Sequence, residues 1–113
     1  MNQFLIIVRG SDHEAMSASP EQMQQRMALF GEWVQNVLDG RYVSGAPLED
    51  FDARLLKSKK EVLTDGPFMD SKEMISGYFI IQAKDIDEAV ALTQQCPLAE
   101  KFQLEVRRIK AMM

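Results

Sequence analysis

The first apolar run, FLIIV from Phe4 to Val8, has no polar interruption and is rich in branched residues. At five residues it is too short to favour a helix, and it predicts a central strand buried on both faces. The run from Gly77 to Ala83, GYFIIQA, predicts a second strand of the same kind. Between them the period changes. Met23, Met27, Phe30, Val34 and Val37 or Leu38 recur every three or four positions, which is one stripe of a helix packing on a sheet. Its start is written in SPEQ: Ser19 caps, Pro20 fits the first helical position and Gln22 completes a capping box. Gly40 suits a left-handed helix end. A second helix is headed by Asp85, with Glu88 at the box position, an inward face of Ile86, Ala89, Val90 and Thr93, and a stop at Pro97. From Phe102 to Ile109 the period is two: Phe102, Leu104 and Val106 point one way, Gln103, Glu105 and Arg107 the other. RYVSG predicts a short strand, and ARLLKSKKEVL one or two strands around a turn at SKK.

The order strand, helix, strands, strand, helix, strand predicts a single α+β domain over residues 1–113. Its form is a ferredoxin-like sandwich with two helices on one face of an antiparallel sheet. That leaves a face over. Leu5 and Ile7 are grouped with Phe79 and Ile81, against Phe4, Ile6, Tyr78 and Ile80, and both sets are apolar. The helices cover only one of them. A self-complementary second copy is the commonest cover for the other, so a homodimer is expected.

A chain of 113 residues with 46% apolar and 27% charged residues has a globular composition. The formal net charge of −4 disfavours non-specific binding to nucleic acid or to an anionic membrane. The basic KSKK run at Lys57 to Lys60 lacks the interleaved aromatics of a nucleic-acid surface. Neither class of partner is expected. Cys96 is the single cysteine, which excludes an intrachain disulfide and a thiol-rich zinc site, and fits a cytoplasmic setting. No signal peptide or spanning segment is legible. The eight methionines read as adaptable core and interface filler. Without a glycine-rich phosphate loop, an HExxH motif, paired cysteines or a nucleophile elbow, no cofactor or metal is expected.

The stretch VLTDGPFMDSKEMISGYFIIQAKDIDEAVALTQQCP, followed by LEVR, resembles the DGPF or YCII-related domain family. The likeness extends over nearly the whole chain. It implies a ferredoxin-like fold in the dimeric α/β-barrel superfamily, where two sheets face each other. YCII-related relatives are suspected enzymes with a histidine–aspartate pair in a cleft. Looser relatives include isomerases, dehalogenating enzymes and monooxygenases, and DGPF members are often linked with sigma-factor genes. This chain departs from the pattern at Asp70, where glutamate is usual, at Ser76, where a glycine is usual, and at Arg108, where a proline is usual. Its only histidine, His13, lies in the loop after the first strand.

Candidate chemistry follows from these placements. Asp65 either caps the DGP turn or serves as a general base at the mouth of an intersubunit cleft. Glu73 is a possible second carboxylate, and acid–base work needs two groups whose environments separate their pKa values. His13 is the third catalytic candidate, on a loop of the kind that lines clefts. Lys72 forms a solvent-facing pair or binds ligand. Tyr78 is expected to place its ring in the core and its hydroxyl at the sheet edge. Arg9 and Arg107 are candidate anchors for an anionic ligand, with Glu105 a pairing partner for Arg107. Two functions compete. One is a cofactor-independent isomerase or lyase moving protons on a small organic, anionic or cyclic substrate in an intersubunit cleft. The other is a non-enzymatic small-molecule-binding or structural dimer tied to transcriptional regulation.

Overall fold

A computed structural model of the protein describes residues 1–10, 19–49, 52–63 and 74–111. Strand β1 (Asn2–Arg9) leads to helix α1 (Pro20–Trp33), which continues as one π-helical turn over Val34–Leu38. Then come β2 (Tyr42–Pro47), β3 (Leu55–Ser58), β4 (Glu61–Leu63) and β5 (Ile75–Ala83). Helix α2 (Ile86–Gln94), a 3₁₀ turn at Pro97–Glu100 and strand β6 (Gln103–Arg108) complete the order. The main sheet runs β2-β5-β1-β6, antiparallel throughout, while among the described strands β3 and β4 pair with each other alone. With that inserted hairpin set aside, the chain is the β-α-β-β-α-β of a ferredoxin-like sandwich.

The core lies between the sheet and the two helices. Phe4, Ile6 and Val8 of β1 and Phe79, Ile81 and Ala83 of β5 meet Trp33, Leu38, Ala89, Leu92 and Cys96. Phe4, Ile6, Leu38 and Ile81 are fully buried, each contributing about 1.5–3 kcal/mol over exposure. Rings carry the centre. Phe30 packs at 5.5 Å from Trp33 and edge-on at 5.7 Å from Phe79, and Trp33 meets Phe79 edge-on at 5.6 Å. The indole N–H of Trp33 donates to the Leu92 carbonyl at 3.1 Å, tying α1 to α2.

Register corrects the expected grouping of faces. Direct partners on antiparallel strands share a face, and the pairs here are Phe4 with Ile81, Ile6 with Phe79, Leu5 with Ile80 and Ile7 with Tyr78. The split within each strand is as predicted. The match between strands is the reverse: Leu5 and Ile7 lie with Tyr78 and Ile80. Residue-number parity does not carry across an antiparallel pair, because the register decides which parities meet.

The capping box of α1 forms. The Gln22 N–H donates to Ser19 Oγ at 3.2 Å, and the Ser19 N–H donates to Gln22 Oε1 at 3.0 Å. The predicted stripe is only half used, since Met23 and Met27 are exposed and packing begins at Phe30. Periodicity marks a face of a helix, not how far the sheet extends beneath it. The helix ends with Asp39 and Gly40 both left-handed, and the Asp39 N–H donates to Val34 O in the π turn. In α2 the Glu88 N–H donates to Asp85 Oδ1 at 2.9 Å, but the Glu88 carboxylate accepts from the Lys84 N–H instead of the cap residue. Its inward side chains are Ala89, Leu92 and Thr93, whereas Ile86 and Val90 are exposed.

Gly45 is where β2 meets β5 most closely. A Cβ there would lie 2.6 Å from Phe79 Cβ, 2.7 Å from the Tyr78 carbonyl oxygen and 2.8 Å from Tyr42 Oη. No larger residue fits that approach.

Candidate functional site: the open face of the sheet

The sheet face away from the helices is built by alternation. Strand β1 presents Leu5, Ile7 and Arg9 there, β5 presents Tyr78 and Ile80, and β6 presents Glu105 and Arg107. The register sets these into rows: Tyr78, Ile7 and Glu105 lie side by side, as do Ile80, Leu5 and Arg107. Leu5, Ile7 and Ile80 are half-buried, and α1 and α2 both pack on the opposite face. The apolar centre is therefore bounded by a phenol and by a charged flank.

On that flank Arg9 Nε donates to Glu105 Oε1 at 2.8 Å, and Arg107 Nη1 lies 3.8 Å from Glu105 Oε2. Glu105 was expected beside Arg107, but its close partner is Arg9 across the β1–β6 ladder. Two arginines share one carboxylate, leaving a positive charge over. The Arg107 side chain is 70% exposed, so its planar fork can meet a carboxylate or phenolate.

Tyr78 is corrected as well. Its register with Ile7 places it on the open face, 37% exposed and away from the helix-side core. This puts the ring, and not only a hydroxyl, on the candidate surface. Arg9, Tyr78 and Arg107 thus share one face. Asp65, Glu73, His13 and Lys72, together with Asp70, lie outside the described residues.

The flanks of those segments are described. Residue 11 follows Gly10 and residue 73 precedes Met74, and the Gly10 N–H donates to the Met74 carbonyl at 2.9 Å. The Ser76 hydroxyl donates to the Gly10 carbonyl from the other side. Both attachment points therefore sit together at the Arg9 end of the sheet. Ser76, singled out only as a departure from the family pattern, is the side chain that fastens this junction. No sequence signal indicates that bond, which closes next to the register shift between Val8 and Arg9.

Cys96 is 3% exposed, and burial pushes its thiol up to about 11, opposed by a hydrogen bond from the Leu98 backbone. A thiol so placed is a packing residue. Among the described residues, no helix is long and apolar enough to cross a membrane.

Three comparisons bear on this face. The YCII-related domain family matches residues 4–113. A solved structure of similar fold is 5-chloro-2-hydroxyhydroquinone dehydrochlorinase (TftG) from Burkholderia phenoliruptrix AC1100, in complex with 2,5-dihydroxybenzoquinone. It has 17% sequence identity and a TM-score of 0.55, over 96% of this chain and 93% of that one. At that identity the likeness shows the fold alone. No match is found among curated proteins.

Proposed function

This chain belongs to the YCII-related domain family, and we propose that it is a homodimer handling a small organic anion between two facing sheets. The observation that carries the reading is the open face itself: Leu5, Ile7, Ile80 and Tyr78 beside Arg9, Glu105 and Arg107. Apolar area of this kind needs a cover, and a cationic rim beside an aromatic ring suits a planar, ionisable ligand. The ligand of the dehydrochlorinase, 2,5-dihydroxybenzoquinone, is of that class.

The chemistry that fits is cofactor-independent proton transfer, as in an isomerase or lyase. A carboxylate takes a proton from carbon, and Arg107 stabilises the negative charge that develops on the substrate oxygen. The proton then returns at another carbon, or a leaving group departs as an anion. Asp65 is assigned as the base, with Glu73 and His13 as the groups that return or relay the proton. Lys72, Arg9 and Tyr78 complete the ligand contacts. A second reading, a dimer that binds without turnover, is favoured by the Arg9–Glu105 pair, in which each charge is already matched within the chain.

Calorimetric titration with a panel of hydroxylated benzoquinones and benzoates tests the site. Arg107→Ala removes a charge-assisted bond of about 1.5–3 kcal/mol, so affinity should fall about 10- to 100-fold. Asp65→Asn should abolish turnover while binding persists. If no member of the panel binds, or Arg107→Ala binds as tightly as the parent, the site is elsewhere. Binding without turnover in the parent selects the second reading.

A further inference from the structure

We propose that the β3–β4 hairpin of one copy docks in the groove between α2 and β6 of a second copy. Two exposed surfaces among the described residues complement each other. The first is the hairpin. Leu56 pairs with Val62 across it, and these side chains are 63% and 52% exposed. An isolated two-stranded hairpin is marginal in water, so this one gains from packing its apolar pair. The second is a concavity of about 400 Å³ on the helix side of the sheet, walled by Ile86, Val90, Phe102, Leu104 and Val106. Ile86 and Val90 at its rim are 44% and 38% exposed.

Charge selects the pairing. Beside Leu56 and Val62 stand Lys57, Lys59 and Lys60 against the single Glu61. On the α2 side of the groove, Asp85 and Asp87 flank Ile86 with Lys84 before them, while Glu88 pairs with Arg41. A basic hairpin thus faces an acidic rim, which orients the contact and steers the encounter.

The occupant is a second copy because no described segment of the chain fills the groove: both surfaces stay exposed together. The hairpin follows β2, at the opposite edge of the sheet from β6. A reciprocal exchange gives the closed, two-fold arrangement that soluble dimers favour. Stable interfaces bury upwards of about 1,000 Å², more than a nine-residue hairpin supplies alone. The docking therefore adds to the sheet-to-sheet contact and rests on that two-copy reading.

Sedimentation equilibrium and directed cross-linking test it together. The double variant Lys59→Glu/Lys60→Glu should raise the dimer dissociation constant at least about tenfold, with less effect at high salt. Adding Asp87→Lys should restore dimerisation. Mixing the single variants Val62→Cys and Val90→Cys under oxidation should give a covalent heterodimer, with buried Cys96 not competing. A dimer of unchanged affinity that yields no cross-link overturns hairpin docking and leaves sheet pairing standing. An intramolecular bridge in the Val62→Cys/Val90→Cys double variant overturns it in favour of self-docking. A parent protein that sediments as a monomer overturns both readings.

Discussion

Replacing Gly45 with alanine adds one methyl group to β2 at its tightest contact with β5. The new Cβ would stand 2.6 Å from Phe79 Cβ and 2.7 Å from the Tyr78 carbonyl oxygen, both inside the distance any real Cβ tolerates. The third contact, Tyr42 Oη at 2.8 Å, is the end of a side chain and can swing away. The other two belong to the β5 backbone and its first side-chain atom, so β2 must separate from β5. Overpacking of this kind costs about 1–3 kcal/mol, and two immovable partners place Gly45→Ala at the upper end. At about 2.1 cal/mol/K per residue, this chain unfolds with an entropy near 0.24 kcal/mol/K, so about 3 kcal/mol lowers Tm by about 12 °C. The control is Gly31→Ala, in α1, where an added Cβ meets nothing within 4 Å. Alanine is the better helix former, and that variant should gain about 0.5–1 kcal/mol. Calorimetry at matched protein concentration measures both, since any self-association would make Tm concentration-dependent. A Gly45→Ala variant as stable as the parent would refute the close approach of β2 and β5.

Trp33→Phe removes the side-chain donor to the Leu92 carbonyl, leaves that oxygen with only the Gln95 N–H at 3.2 Å, and opens space beside Phe79. A loss of about 2–3 kcal/mol is expected by urea denaturation followed by circular dichroism, with the urea slope unchanged. The buried Cys96 thiol titrates near 11 in the folded chain against 9.0 for a free thiol. The unfolded chain thus gives up its proton first. Stability from this group is complete below pH 9 and falls by about 2–3 kcal/mol between pH 9 and 11. Cys96→Ala should show a flatter profile than the parent in that window, and parallel profiles would refute the assignment.

The elements were legible because each local signal agreed with the fold. The unbroken run at Phe4 to Val8, the capping residues Ser19 and Asp85 and the alternation around Leu104 each mark a form of backbone on their own. What needed the structure was relation. Tyr78 was assigned to the wrong face because the register between β1 and β5 depends on the intervening chain, not on either strand. Glu105 does lie 3.8 Å from Arg107, two residues on, but its closer partner, Arg9, reaches it from the adjacent strand. Gly45 carries no mark in the sequence, since only the proximity of β5 makes its missing side chain necessary. Of the candidate site, the arginines and Tyr78 are now on one face. The acidic and histidine candidates rest on the family resemblance.

The junction of Gly10 with Met74 has a consequence for how such a chain diversifies. Two segments leave the sheet from adjacent points that the backbone already holds together, with Ser76 as the clasp. Lengthening either one adds little closure entropy, about 0.6 kcal/mol for each doubling, and leaves the β1–β5 ladder untouched. Insertions and deletions there can be sampled at small thermodynamic risk, side by side and beside the same arginine. One scaffold can in this way vary the chain next to these two points among descendants while its core sequence stays fixed.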